Sequence, residues 1–444
     1  MTRLRDRRVL LAAIVLVALA CRAAGAGDRL SADEGYTWLV ATAHGPSAFL
    51  DLLARYENTP PLFYLLLTPL PLDDEVWLRL PSLVAGVAAV PVLYAAVRAL
   101  LGTRAALLSA LALAVAPYAV SFSNYARGFT LATLGMLVAL WAAARLARDG
   151  RSRWWWLYAA GAVGALYSEY VAALFLVPLA LMLTTLRPSP RTLGLALAPF
   201  LALLPWIGEI DHSRDFAGIT KVDPTYPGPS PGSLRDLVVR LAFGEHGSAG
   251  STAVRWLQFL AIALVLGAAL AVIARRSPPA LVLFGCTAAG ALVLHALTAL
   301  VGPDVFAPRY MTVLIPLGAA LVGGAAVALP WRAAVPATAA ALVAVAVAVV
   351  VQRTGRELEP DYARVGTVVR AAGARTVLTN SAVEEYYGNH PRPRLDRPFG
   401  LSRGLEPRTR APYAVVDDSR VGEGARPGPG RRTKIGPIVV RTVR

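Results

Sequence analysis

The sequence is poor in the residues on which water-soluble chemistry usually draws. Charged side chains make up 16% of its 444 residues, too few to clothe a soluble chain of this length. It has two cysteines, Cys21 and Cys286, each inside an apolar run, which leaves no disulfide framework and no thiolate metal site. The five histidines, His44, His212, His246, His295 and His390, show none of the paired spacings that metal sites use. A divalent metal therefore finds no support in the His and Cys spacing. There is no glycine-rich phosphate loop and no nucleophile elbow, and no large soluble nucleotide-binding segment, so a nucleotide cofactor is not expected. Disorder, a soluble enzyme and a small secreted scaffold are all poor readings.

What the sequence has in quantity is apolar length, with 56% hydrophobic residues. A membrane helix needs about 20 of them in a row. Runs of that kind fall at 9–26, 78–100, 105–121, 128–146, 154–168, 169–186, 192–210, 253–274, 279–300, 309–329 and 333–351, about eleven spans. The first, Val9 to Ala26, follows Arg3, Arg5, Arg7 and Arg8 and ends in Ala24-Gly25-Ala26, so it also reads as a signal peptide. Ala18-Leu19-Ala20-Cys21 adds a weak lipoprotein-like match. The many spans that follow favour retention of this helix, and with or without cleavage the next segment lies outside.

The net charge of +16 follows from topology rather than from nucleic-acid binding, for which nothing else speaks. With the N-terminus inside, the expected inner loops carry Arg98 and Arg104, then Arg145, Arg148, Arg151 and Arg153, then Arg187 and Arg191, Arg275 and Arg276, and Arg332. The expected outer loops hold most of the acids, among them Asp28, Asp33, Glu34, Asp73, Asp74, Glu75 and Glu169. Pro60 to Leu70 is apolar but too short to cross, and reads as a helix lying in the outer interface. Residues 27–77 then form one long outer loop with about two amphipathic helices, and 211–252 a second outer loop rich in Pro and Gly.

The tail differs in kind. It is polar, with strand-like runs at Thr376–Thr379, Tyr413–Val416 and Ile438–Val440, helix-like stretches at Tyr362–Ala372 and Glu384–Tyr387, and a loop over Gly422–Arg432. The expected fold is mainly α: a polytopic membrane bundle over 1–351 with interfacial helices in its first outer loop, and a small extracytoplasmic α/β domain over 352–444. The protein is expected in the cell membrane, N-terminus cytoplasmic and C-terminus outside.

Four places could carry chemistry. Asp33-Glu34 follows the first span closely, where a carboxylate can take a proton from an acceptor hydroxyl; equally, Ser31 or Asp33 can cap a helix, and Tyr36 and Trp38 can belong to an aromatic interface belt. Arg127, in Ser123-Asn124-Tyr125-Ala126-Arg127-Gly128, can clamp a phosphate or snorkel at a helix end. Glu169, in Tyr167-Ser168-Glu169-Tyr170, is a metal ligand, a sugar-hydroxyl acceptor, a salt-bridge partner or a solvated turn acid. Arg309 is a second phosphate contact or the ion-pair partner of Asp304.

Taken in order, these segments resemble one family. The Asp33-Glu34 pair is followed by Thr59-Pro60-Pro61-Leu62-Phe63-Tyr64, by Arg79-Leu80-Pro81-Ser82 leading to Arg98-Ala99-Leu100-Leu101-Gly102, and by the Tyr125-Ala126-Arg127, Tyr167-Ser168-Glu169-Tyr170 and Pro308-Arg309-Tyr310 motifs. Over roughly 1–350 the chain is similar to the C-type membrane glycosyltransferases of the protein O-mannosyltransferase and aminoarabinose-transferase superfamily. The resemblance implies sugar transfer at the outer face from a polyprenyl-phosphate donor to a protein or glycan acceptor. The sugar is a hexose such as mannose, or a pentose. Asp33, with Glu34 beside it, maps onto the family's candidate catalytic base; Arg127 and Arg309 suit the lipid phosphate, and Tyr125, Glu169 and Tyr64 line the substrate site. Three departures stand out: Thr59 where relatives often have His, Glu169 where they often have His, and Ser123-Asn124-Tyr125-Ala126-Arg127 in place of a Gln-Glu-Ala-Arg loop. The alternatives are a lipid-linked sugar transporter or flippase, and a membrane scaffold without catalysis.

Overall fold

The computed structural model describes residues 2–28, 30–57, 59–206, 228–244, 251–301 and 305–328, and in the tail 376–379, 413–418, 431–435 and 438–443. The chain divides into two compact units, one of residues 1–26, 58–63 and 79–353, the other of 27–57, 64–78 and 354–444.

The first unit is helical. It opens with α1 (Thr2–Ala23). The 41-residue stretch α5 (Glu75–Val115) contains Pro81 and Pro91 and breaks at Gly102, whose φ of 82° only glycine adopts readily. The expected inner turn between Arg98 and Arg104 is thus made at a single residue. The expected span 105–121 also breaks: Ala116 precedes a proline and takes extended angles, and α6 (Pro117–Ser123) starts afresh behind it. The helix α7 (Phe129–Asp149) ends on Gly150 in the left-handed region, with φ 64°. It then pairs with α8 (Arg153–Leu166). Gly135 and Gly161 let these two backbones touch: a Cβ on either would lie 2.7 Å from the other's carbonyl oxygen.

After a 3₁₀ turn at Tyr170–Ala172 comes α9 (Ala173–Leu186). The expected span 192–210 is α10 (Pro190–Leu197) continued by a 3₁₀ stretch, Ala198–Trp206, where Pro199 and Pro205 withhold the N–H groups an α-helix needs. Then follow α11 (Pro231–Phe243), α12 (Thr252–Arg276) and α13 (Pro278–Val301), the last with a π-helical segment at Leu281–Cys286. The expected span at 309–329 starts late, with a 3₁₀ turn at Pro308–Met311 before α14 (Leu314–Ala326). Among the described residues four helices, α5, α7, α12 and α13, are long and apolar enough to cross a membrane. The core is built from small and aliphatic side chains such as Ala106, Leu140, Ala162, Leu179, Phe284 and Leu317. By contrast, Leu257, Leu264, Leu300 and Val301 on α12 and α13 are bare, as a lipid-facing surface requires. Together these features make a mainly helical, multi-pass membrane protein.

The second unit contains α2 (Ala32–Ala41), α3 (Pro46–Tyr56) and most of α4 (Leu62–Leu67), which at six residues is too short to cross. In the tail, β1 (Thr376–Thr379), β2 (Tyr413–Asp418), β3 (Arg431–Ile435) and β4 (Ile438–Val443) form a sheet in the order β1-β2-β4-β3. The β1–β2 pair is parallel and the other two are antiparallel. Three of the strands coincide with the apolar runs; β3 begins inside the stretch expected as loop, because Arg431-Arg432-Thr433-Lys434 carries no apolar alternation. The span at 333–351 and the stretches 362–372 and 384–387 lie outside the described residues.

Candidate functional site

Three connections of the first unit meet: the turn after α6, the turn after α8, and the 3₁₀ turn before α14. Gly128 makes the first meeting possible. A Cβ there would run into the Ser168 carbonyl oxygen and would lie 3.1 Å from Glu169 Oε1. The loop carrying Arg127 therefore rests on the turn carrying Glu169. An aromatic run makes the second meeting. Tyr125 stacks on Phe129 with ring centroids 6.4 Å apart, and Phe129 meets Tyr310 edge-on at 5.9 Å. Thr133 and Thr312 share a buried hydrogen bond of 2.8 Å just behind. Arg309 lies with its guanidinium carbon 5.2 Å from the ring of its neighbour Tyr310.

Each element is fastened locally. Ser82 donates from its hydroxyl to the Arg127 carbonyl at 3.1 Å, so α5 holds the loop from behind. The Arg127 N–H reaches the Tyr125 carbonyl at 2.8 Å, a tight local turn. Thr130 donates to the Phe122 carbonyl at 2.8 Å, pinning the start of α7 to α6. The N–H of Leu62 donates to the Tyr167 carbonyl at 3.0 Å, tying the Pro60-Pro61 motif to the Glu169 turn. Glu169 is buried, whereas Arg127, Tyr125 and Arg309 are half-buried. Arg127, Tyr125, Glu169 and Arg309 are thus on segments the fold brings together. Asp304, the alternative partner of Arg309, lies outside the described residues.

Asp33, Glu34 and Tyr64 belong to the second unit. Ser31 caps α2: its side chain accepts from the Glu34 N–H at 3.4 Å, and Glu34 Oε2 accepts from the Ser31 N–H at 2.8 Å. The capping is done by Ser31 and Glu34, and Asp33 stands half-buried beside them in the first helical turn. Both carboxylates sit at the positive end of the helix. Tyr64 is buried on α4. Among the described residues no group of three His, Cys, Asp or Glu side chains could hold a metal ion.

Two residues of this region escape a reading of the sequence. Arg22, at the end of α1, is buried and donates to Ser123 Oγ at 3.0 Å and to the carbonyls of Ala18, Ala114 and Leu113 at 3.2, 2.8 and 3.3 Å. It satisfies the open carbonyls at the end of α5 and anchors the last turn of α6, from which the Arg127 loop departs. Asn124 is buried and donates to the Val120 carbonyl at 3.2 Å, and among the described residues its Oδ1 has no hydrogen-bond partner, so an acceptor is left there. Their only sequence signal was position: an arginine at the end of an apolar run, and an amide in a short turn.

Residues 59–207 match the family of dolichyl-phosphate-mannose-protein mannosyltransferases. No curated protein matches the sequence. The chain is similar in fold to ArnT from Cupriavidus metallidurans. In the apo state that structure aligns with a TM-score of 0.63 and 15% identity, over 100% of this chain and 98% of the other. Bound to undecaprenyl phosphate it aligns with a TM-score of 0.60 and 15% identity, over 98% and 97%. The archaeal oligosaccharyltransferase AglB from Archaeoglobus fulgidus, in complex with an inhibitory peptide and a dolichol-phosphate, gives a TM-score of 0.48 and 13% identity over 89% of this chain and 61% of that one.

Proposed function

We propose that this chain, which is similar in fold to ArnT throughout and to the protein mannosyltransferase family over residues 59–207, transfers a sugar from a polyprenyl-phosphate donor to an acceptor hydroxyl at the outer face of the membrane. The observation that carries this reading is the meeting of the Arg127, Glu169 and Arg309 segments at Gly128, Phe129 and Tyr310. The segments that carry Arg127, Arg309 and the buried Glu169 approach one another there, and a structure similar in fold is known with undecaprenyl phosphate bound.

In this mechanism Arg127 and Arg309 hold the lipid phosphate and stabilise the negative charge that grows on it as the glycosidic bond breaks. Glu169 and Asn124 accept hydrogen bonds from sugar hydroxyls, which fixes the ring for attack. Asp33 takes the proton of the acceptor hydroxyl as its oxygen bonds to the anomeric carbon, and this direct displacement inverts the configuration there. Glu34 supports the reaction through the capping box that sets the first turn of α2. The acceptor is a protein or a glycan.

The test is transfer by the purified membrane protein from a panel of polyprenyl-phosphate sugars, mannosyl and pentosyl included, with the linkage of the product determined. Asp33→Asn should lower the transfer rate by about 10²–10⁴-fold, and Arg127→Ala or Arg309→Ala by about 10²–10³-fold. All three chains should insert as the wild type does. Full turnover by Asp33→Asn removes the proposed base, and a product of retained configuration removes the direct displacement.

A further inference from the structure

At the expected cytoplasmic ends of α7, α8 and α9, a group of arginines and tryptophans surrounds one acid. Asp149 takes Arg145 Nη2 at 2.6 Å and Arg148 Nε at 3.4 Å. Two guanidiniums lie over the Trp154 ring, that of Arg145 at 4.8 Å and that of Arg153 at 5.0 Å from its centroid. Arg187, at the end of α9, folds over the α7–α8 turn: a Cβ on Gly150 would come within 2.5 Å of its Nη1 and 2.7 Å of its Nη2. The positive φ favours glycine there, and the Arg187 guanidinium occupies the space a side chain would take.

The cluster is short of acceptors. Among the described residues Arg145 Nε, Trp154 Nε1 and Arg187 Nε are buried and make no hydrogen bond. Arg187 has no ion pair among the described residues, and Asp149 is already shared by two other arginines. Buried N–H donors that find no partner are costly, and arginines around a single carboxylate leave the group strongly positive. Trp155 is half-buried and Trp156 almost bare, as expected for tryptophans that sit at the level of lipid headgroups.

We propose that this cluster is a binding site for the phosphodiester of an anionic phospholipid. The non-bridging phosphate oxygens accept from Arg187, from Arg145 Nε and from the Trp154 indole N–H, and the acyl chains run alongside α8 past Trp155 and Trp156. A guanidinium presents two donors in the fork that matches a phosphate. The net positive group selects an anionic headgroup over a zwitterionic one. The chemistry is independent of the sugar-transfer reading; only the leaflet depends on the positive-inside orientation.

The experiment is native mass spectrometry of the full-length protein released from nanodiscs of phosphatidylglycerol and phosphatidylcholine in equal amounts. The wild type should retain one phosphatidylglycerol in clear preference to phosphatidylcholine. Trp154→Phe, which keeps an aromatic ring there and removes the N–H donor, and Arg187→Gln should each lower that retention about tenfold. Arg151→Gln, an exposed arginine outside the cluster, should leave it unchanged. Should Arg187→Gln fail to fold, Trp154→Phe decides alone. Equal retention of the two lipids by the wild type overturns the proposal, as does undiminished retention by Trp154→Phe. Displacement of the bound species by millimolar inorganic phosphate also overturns it, by making this a site for free anions.

Discussion

At the scale of single residues, Gly128 shows how little space the candidate site leaves. Its missing side chain is filled by the Ser168 carbonyl and the Glu169 carboxylate. Gly128→Ala must push the Arg127 loop off the Glu169 turn, at a cost of about 1–3 kcal/mol. The expected result is a chain that inserts and melts a few degrees lower, with sugar transfer lost or strongly reduced; unchanged transfer would separate these two turns from the reaction. Glu34 offers the opposite kind of test. Glutamine accepts at the third helical position as glutamate does, so Glu34→Gln should retain most activity. Glu34→Ala should lose the cap, about 1 kcal/mol, and disturb the turn carrying Asp33. If both variants lose activity to the same extent as Asp33→Asn, Glu34 itself takes part in proton transfer.

At the scale of elements, the contact between α7 and α8 rests on Gly135 and Gly161, each with a carbonyl and an amide of the facing helix where a Cβ would be. Gly161→Leu should force the pair apart and abolish stable insertion, read as loss of the folded protein in detergent. A second tie, between α11 and α12, is electrostatic. Asp236 accepts from Arg235 Nε at 2.8 Å and from Arg255 Nη1 at 3.2 Å. Partial burial would raise the Asp236 carboxyl, but the hydrogen bond from Arg235 and the charges of Arg235, Arg255 and Arg240 outweigh it and hold the carboxyl below its ordinary value. A carboxyl lowered in the fold contributes stability above its unfolded value, about 3.9, and loses it as the pH falls through the folded value. The pair is part-exposed, so the contribution is below about 1 kcal/mol. Asp236→Asn should lower the melting temperature slightly at pH 7, and by progressively less as the pH falls below about 3.9.

The sequence made the long helices visible because apolar length is a one-dimensional signal, as at α7 and α12. It hid the breaks at Ala116 and Ala198, where a proline inside a hydrophobic run decides between one helix and two. It pointed to Arg127, Glu169 and Arg309 as separate residues in separate turns. What joins them, the bare backbone of Gly128 and the ring of Phe129, carries no charge and no motif. Arg22 was hidden for a related reason: an arginine closing an apolar run looks like a flanking anchor until its carbonyl partners are seen.

At the scale of the whole molecule, orientation follows from parity. The α4 helix is six residues long and cannot cross, so the proposed topology keeps residues 27–77 on one side and gives every later loop the side its charges indicate. In that proposed topology Arg145, Arg148, Arg151 and Arg153 lie with the cytosol, and Asp73, Asp74 and Glu75 with the exterior. In a chain whose Cys21 and Cys286 are replaced by alanine, Asp73→Cys should react with an impermeant maleimide in intact cells. Ser152→Cys should react only after the membrane is opened, and Ser419→Cys in the tail should behave like Asp73→Cys. This ordering is a condition for the chemistry. If Ser152→Cys is labelled in intact cells and Asp73→Cys is not, Asp33 faces the cytosol and cannot serve an outer acceptor. The sugar-transfer mechanism then falls, even if the arginine–tryptophan cluster still holds its lipid.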